Sequence, residues 1–387
     1  MSSTLRILQL FPTVLLLAGC ASSAPQVTDT SATASGIAPA QTSAIKTSSS
    51  PVVVTRSTAA DMAPASYQSG FMARSDVQSF YRHLVRERNL PENQVAQLLA
   101  QAKHQEAAVR LMTPRAPGQP AIIRDWPTYR SRFVEPVRIE RGLQFMATHR
   151  NALQEAERRY GVPASIIAAI IGVETLYGQH LGNFRVLDTV TTLAFDYPPH
   201  PKRDERVDLF RGQLADLIEL HIGGKIDANT QLGSFAGAVG IPQFMPTSIK
   251  SYAVASEPGR AVNLESNVND AILSVANFLR LHGWVPGAPV FAPVVLPAKP
   301  AGLVAGGLIP TLDWSRLQKA GARLETNATI KGWADLPLGV IDLPTARTGQ
   351  TEYRVATPNF FALTQYNRSY FYATSVAELA QAISTQR

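Results

Sequence analysis

The segment Pro163–Gly178, PASIIAAIIGVETLYG, limits the fold more than any other stretch of this chain. It is apolar on nearly every side, and a helix of that kind must be enclosed by the rest of the protein. Proline near its start and glycine just past its end mark a core helix from about Pro163 to Tyr177. Glu174 is its one acidic residue. A carboxylate in such surroundings is costly unless paired or protonated. It also falls in the last turn, where the helix dipole disfavours negative charge. Desolvation and dipole both push its pKa up, which is what a general acid working near neutrality requires. On the pattern alone a second reading stays open, with Glu174 facing solvent at a frayed helix end.

Around this helix there is ample material for a core. The chain has 387 residues, 45% of them hydrophobic, enough for two or three domains of about 100–200 residues. Charged residues make up only 17%, which excludes wholesale disorder. The net charge of +7 suits an anionic envelope polymer or a membrane surface, but it is too diffuse to indicate nucleic acid. A single cysteine excludes an internal disulfide framework and every cysteine-rich zinc pattern.

That cysteine is Cys20. Arg6 is followed by a largely apolar stretch, Ile7 to Ala18, and then by Leu17-Ala18-Gly19-Cys20. The apolar stretch is too short to span about 30 Å of hydrocarbon, but it suits a secretory signal. Small residues running into cysteine resemble the bacterial lipobox, in which the cysteine is lipidated and becomes the mature N-terminus. Residues 1–19 are therefore expected to be a lipoprotein signal peptide, with an ordinary signal peptide as the alternative. Ala21, rather than Asp, follows the cysteine, which by the same resemblance favours the periplasmic face of the outer membrane. Residues 20–65, dominated by Ala, Ser and Thr, read as a flexible tether.

Beyond the tether, apolar spacing and breakers predict a mainly helical α+β chain. Ser75-Asp76-Val77-Gln78 looks like a capping box ahead of Val77, Tyr81 and Leu84. Pro91 opens a second helix, and 136–160 reads as one long helix ended by Gly161-Val162-Pro163. Further helices are expected over 187–195, 209–220, 269–282 and 373–383. Residues 285–350 hold many Pro and Gly among short apolar runs, and read as a small β-rich domain inserted into a helical body of 66–284 and 351–387.

Walker A, GxGxxG, HExxH and GxSxG motifs are all missing from the sequence. Two further segments draw attention. Gly233 to Pro246, GSFAGAVGIPQFMP, is bent by glycine and proline and carries Ser234 and Gln243 among apolar neighbours. These two polar groups can orient a sugar or satisfy the loop's own backbone. Tyr366-Asn367-Arg368-Ser369-Tyr370-Phe371-Tyr372 combines aromatic faces with an amide, which suits either carbohydrate binding or a buried aromatic cluster.

Taken together, GVETLYGQHLGNFRVLDTVTTLAFDYP, SFAGAVGIPQFMPTSIKSYAV, VANFLRLHGW and ALTQYNRSYFYATSVAELAQAI resemble the lytic murein transglycosylase B family, in order and at compatible spacing over most of 75–387. The lipobox agrees with the membrane-bound form of that family. The resemblance implies a lysozyme-like catalytic core with a helical outer domain and a small β-rich insertion. It implies peptidoglycan glycan strands as substrate and cleavage of the β-1,4 bond between N-acetylmuramic acid and N-acetylglucosamine, leaving 1,6-anhydro ends. Glu174 falls on the catalytic glutamate. Ser234, Gln243, Tyr366, Asn367 and Tyr372 fall on substrate-contacting positions, and Tyr129, in WPTYR, matches a groove tyrosine. Phe278 stands where relatives carry a tyrosine, losing a hydroxyl but keeping a stacking face. No cofactor is implied. The expected state is a monomer, held to the membrane through lipid on Cys20 and able to join cell-wall synthesis complexes.

Relatives can carry a calcium loop just after the SYAV segment. Here that stretch reads Ala255-Ser256-Glu257-Pro258-Gly259-Arg260-Ala261-Val262-Asn263, a poor oxygen cage, so no metal site is expected. Two other functional classes remain open: a glycan-binding lipoprotein without turnover, and a muramidase that uses water and needs a second carboxylate or a positioned water.

Overall fold

The computed structural model describes residues 70–384 except 116–117 and 119–122. The expected signal peptide, Cys20 and the whole of the expected tether lie outside the described residues.

The chain is mainly helical. It opens with α1 (Ser75–Glu87), α2 (Glu92–Gln101), α3 (Glu106–Met112), α4 (Trp126–Arg130), α5 (Pro136–Thr148), α6 (Arg150–Tyr160) and α7 (Ala164–Thr175). β1 (Phe184–Arg185), α8 (Val186–Phe195), α9 (Arg203–Ile222), β2 (Leu232–Gly233), α10 (Pro246–Tyr252) and α11 (Val268–Leu281) follow. The insertion holds β3 (Val294–Val295), α12 (Trp314–Lys319), β4 (Arg323–Leu324), β5 (Gly339–Thr345) and β6 (Gln350–Ala356), and α13 (Pro358–Tyr366) and α14 (Tyr370–Ser384) complete the chain. The strands form three antiparallel pairs, β1 with β2, β3 with β4, and β5 with β6.

The apolar helix α7 is the hub. Ile166 through Val173 are all buried, with α5, α6, α11 and α14 packed around them. Fully burying a side chain of this size contributes about 1.5–3 kcal/mol, so this one rod organises the large core. A second, smaller core gathers Ala292, Leu312, Leu317, Trp333, Leu338, Val340 and Val355. The β5–β6 hairpin is the wall between the two. Strand alternation sends Val340 to the small core, and Ile341 and Leu343 to the large one. The register runs from Gly339 opposite Ala356 to Thr345 opposite Gln350. A domain boundary at residue 350 would therefore separate the paired strands of a single hairpin. The ends of the insertion are pinned together by buried Asn359, which accepts from the Val285 amide at 2.7 Å and donates to the carbonyls of Val285 (3.0 Å) and Ala288 (2.7 Å).

Two local expectations differ from the structure. Ser75 is not a cap: α1 is preceded by Arg74 without a side-chain cap. Asp76 pairs with Arg74 at 2.8 Å, and Gln78 donates to the Met72 carbonyl at 2.7 Å. The expected long helix over 136–160 is two helices joined at His149, which leaves the helical region at φ −105° and ψ 26°. The bend lets α5 pack on α7 and α14 while α6 packs on α11, a demand of docking that local periodicity does not carry.

Candidate active site

Glu174 sits one residue before the end of α7, where the chain turns abruptly. Leu176 (φ 51°), Tyr177 (φ 61°) and Gly178 (φ 88°) are successive left-handed residues, a conformation that costs most side chains about 1–3 kcal/mol each. The surroundings over-determine it. Tyr177 folds back over its own helix and donates its hydroxyl to the Arg138 carbonyl at 3.1 Å. A methyl group on Gly172 or on Gly142 would lie 2.5 Å from that hydroxyl oxygen, so both glycines make room for the ring. Thr175, fully buried, donates its hydroxyl to the Ile241 carbonyl at 2.9 Å and accepts from the Gly178 amide at 3.0 Å. Arg138 donates Nε to the Gly172 carbonyl at 3.0 Å. That places positive charge at the end of α7, where it offsets the helix dipole invoked from the sequence.

The Glu174 side chain is half-buried. Burial raises its pKa to about 7, against a hydrogen bond from the Tyr372 hydroxyl that works to lower it. That bond, Tyr372 Oη to Glu174 Oε1, is 2.6 Å long. Desolvation is thus the largest cause of the shift. Tyr372 comes from the first turn of α14 and is 2% exposed. Burial and the nearby Glu174 hold its phenol well above the ordinary range, so it remains a donor.

The Tyr366 ring stacks on that of Tyr372 at 6.4 Å and 12°, and its hydroxyl donates to the Pro242 carbonyl at 2.5 Å. Asn367 follows as the C-cap of α13, partly exposed. Tyr129 arrives from α4 and packs on Phe133 at 5.2 Å and Phe371 at 5.4 Å. Its hydroxyl is buried without a hydrogen-bond partner among the described residues. Its pKa is raised, by burial first and then by Glu174. A buried, unpaired hydroxyl is costly, so its persistence beside an acid is informative. Asp125 caps α4 by accepting from the Thr128 amide at 3.2 Å. Arg130 and Arg354 both pair with Glu378, tying α4 and β6 to α14.

The glycine-rich segment forms the facing wall. Val239 and Phe244 exchange backbone hydrogen bonds of 2.9 and 3.1 Å. Gln243 is left-handed (φ 52°) and donates Nε2 to the carbonyls of Gly240 (2.9 Å) and Leu181 (3.2 Å). Ser234 is 3% exposed, and its oxygen accepts from the Ala238 amide at 3.0 Å. The hydroxyl therefore serves its own loop. Phe278 is 5% exposed, with its ring against His282 (4.0 Å), Tyr366 (4.9 Å) and Phe244 (5.7 Å). Its expected open stacking face is covered, and Phe278 supports Tyr366 from below instead.

Glu174, Tyr372, Tyr366 and Tyr129 are thus brought together from three distant stretches, and Gln243 lies in the wall tied to them through Pro242 and Ile241. Thr175, Arg138, Tyr177 and Glu378 were not foreseen as contributors. The Asp125-Trp126-Pro127 start of α4 was readable as a cap followed by an early proline. The other contributions depend on partners far away in the chain. A cavity of about 660 Å³ lined by Phe71, Arg74, Lys103, His104, Arg185 and Asp196 contains none of these residues.

The chain resembles known proteins over its described length. It is 34% identical over 328 residues, 82% of this chain and 85% of the relative, to membrane-bound lytic murein transglycosylase B of Escherichia coli K12. Among solved structures, lytic transglycosylase SltB1 of Pseudomonas aeruginosa, in a catenated form, superposes with a TM-score of 0.72 at 33% identity, covering 81% of this chain and 98% of that one. The lytic transglycosylase Slt35 of Escherichia coli, solved in complex with calcium, superposes with a TM-score of 0.68 at 33% identity, covering 82% and 96%. The profile of the transglycosylase SLT domain, family SLT_2, matches residues 72–381, and this chain belongs to that family.

Proposed function

We propose that this lytic transglycosylase acts on peptidoglycan glycan strands, cleaving the β-1,4 bond between N-acetylmuramic acid and N-acetylglucosamine with Glu174 as its single acid and base. The observation that carries this reading is a carboxyl whose pKa stands at about 7, hydrogen-bonded at 2.6 Å by Tyr372 at the end of a buried helix. Near neutrality about half of such groups hold a proton that they can donate.

In the first step the Glu174 proton passes to the glycosidic oxygen as the C1–O4 bond breaks. The 2-acetamido oxygen of the muramyl sugar stabilises the cationic C1, as in substrate-assisted glycosidases. In the second step the muramyl 6-hydroxyl attacks C1 and its proton returns to Glu174. One C–O bond is broken and one is made, no water is consumed, and the product ends in 1,6-anhydro-muramic acid. The nucleophile belongs to the same sugar, so its effective concentration is high. Among the described residues no second carboxylate raises Glu174, which favours this route over the two-acid schemes of hydrolysing glycosidases. Tyr372 steadies the carboxylate formed between the steps. The unpaired Tyr129 hydroxyl, Tyr366, Asn367 and Gln243 are the groups proposed to hold the sugars, with Ser234 shaping the loop.

Digestion of purified sacculi followed by mass spectrometry tests the reading. Muropeptides ending in anhydro sugars are expected. Reducing ends, heavier by one water, would make it a hydrolase, and undigested sacculi would leave a binding protein. Lipid on Cys20 would hold the enzyme on the periplasmic face of the outer membrane, and no helix among the described residues is long and apolar enough to cross a membrane. Cys20→Ala is expected to release it into the soluble periplasmic fraction. Continued membrane association of that variant would remove the anchor.

A further inference from the structure

The segment between α10 and α11 closes on one buried carboxylate. Asp270, in the first turn of α11, is fully buried. Its Oδ1 accepts from the Ser256 amide (2.8 Å), the Ser256 hydroxyl (2.7 Å) and the Arg260 guanidinium (2.5 Å), and its Oδ2 accepts from the Asn263 amide (2.8 Å). Burial alone would raise this carboxyl. The guanidinium, with the amides of Asn263 and Ser256, outweighs burial and holds it below the ordinary carboxylate range. Arg260 also donates to Ser256 Oγ at 3.3 Å and to the Ala261 carbonyl at 3.0 Å, and it pairs with Glu257 at 3.7 Å. The positive group sits within the loop's own ring of oxygens.

By the resemblance drawn from the sequence this is the stretch where relatives can carry a calcium loop, and the similar Slt35 was solved in complex with calcium. The residues here do not fit that ion. Calcium takes six to eight oxygens, several of them carboxylate. Among the described residues no three His, Cys, Asp or Glu side chains converge on one point. The lone pairs of Asp270 are already taken by four donors, and a fixed cation beside it repels a second.

The loop continues to the active site. Asn263 Oδ1 accepts from the amides of Glu265 (3.0 Å) and Ser266 (2.9 Å), which fixes the chain around Leu264. The Leu264 carbonyl accepts from the Ile241 amide at 2.8 Å. The Ile241 carbonyl is held by Thr175, next to Glu174, and the Pro242 carbonyl by Tyr366. We propose that Arg260 is a resident cation, a positioning residue whose guanidinium closes the loop on Asp270 and keeps the Ile241–Gln243 wall aligned with Glu174 without calcium. Its catalytic half rests on the transglycosylase reading, and its stability half does not.

The test uses the full chain with calcium chloride or a calcium chelator at millimolar concentration. Neither is expected to move the Tm of the unaltered protein. Arg260→Met leaves the buried Asp270 carboxylate without its counter-charge, held only by Ser256 and Asn263, and is expected to lower Tm by roughly 5–10 °C. The Ile241 amide should then exchange with solvent about tenfold faster, and KM should rise several-fold with a smaller change in kcat. Arg260→Lys keeps the charge without the fork and should recover some of each effect; it carries the same measurements should Arg260→Met not fold. A chelator that lowers the Tm of the unaltered protein, or calcium that raises it, would overturn the resident-cation claim. Unchanged Ile241 exchange and unchanged KM in a destabilised Arg260→Met protein would overturn the positioning claim. If the unaltered protein leaves sacculi intact, the transglycosylase reading fails, while Tm and exchange still decide the clamp.

Discussion

The two sides of the site are built by different means. The acid side consists of helices, with α7 carrying Glu174 and α14 carrying Tyr372, and its chemistry comes from burial. The facing wall, Gly233 to Pro246, has little regular structure and is held by backbone hydrogen bonds and by glycines in close contact. A methyl group on Gly240 would lie 2.4 Å from the Leu264 carbonyl oxygen, and one on Gly233 would lie 2.3 Å from that of Ala238. Burial tunes a proton and close backbone packing sets a shape, so damage to either side should read out differently.

The largest effect is expected from Glu174→Gln, which removes the proton but keeps the burial. Turnover should fall by at least about a thousandfold, with sacculus binding retained. Retained anhydro product in that variant would take Glu174 out of its role. Next comes Gly240→Ala on the wall. Its φ of 71° and the contact with Leu264 predict a loss of roughly 2–4 kcal/mol in denaturant unfolding, with the alkaline limb of the pH profile unmoved. A shifted limb would show that the two sides are not separable.

A further effect concerns pH and stability. The Glu174 carboxyl titrates at about 7 when folded and near 4.5 when unfolded, so the folded state holds the extra proton between these values. Stability should therefore fall by about 3 kcal/mol as pH rises from 4.5 to 7, and then level off. In Glu174→Gln this decline should vanish, which paired unfolding curves at pH 4.5 and 8 would check. Activity should fall above pH 7 as the acid loses its proton. Tyr372→Phe removes a hydrogen bond that favours the ionised carboxylate, so the alkaline limb should move upward while kcat drops about tenfold. Ser234→Ala should have the smallest effect, about 1 kcal/mol of stability, because its hydroxyl binds its own loop.

Much of the acid side is legible in the sequence. An unbroken apolar helix with one glutamate can be read from residue types alone, because enclosure follows from hydrophobicity on all faces. The tyrosine motif stood out in the same way, although only its family resemblance linked it to Glu174. The glycine–proline wall was visible as a bent segment, but the direction of its polar groups was not. Ser234 turned inward and Phe278 was covered, since exposure is decided by neighbours contributed from elsewhere. The break at His149 escaped because both halves keep helical periodicity.

The sequence by itself determined which segments had to be buried, where the lone acid would lie, and which turn needed glycine, since these depend on properties that each residue carries locally. Only the tertiary structure decided that a tyrosine 198 residues further along donates to that acid, that Thr175 takes the Ile241 carbonyl, and that Arg260 closes on Asp270. Hydrogen bonds need partners within about 3 Å, and docking of whole helices, not pattern along the chain, brings such groups within reach.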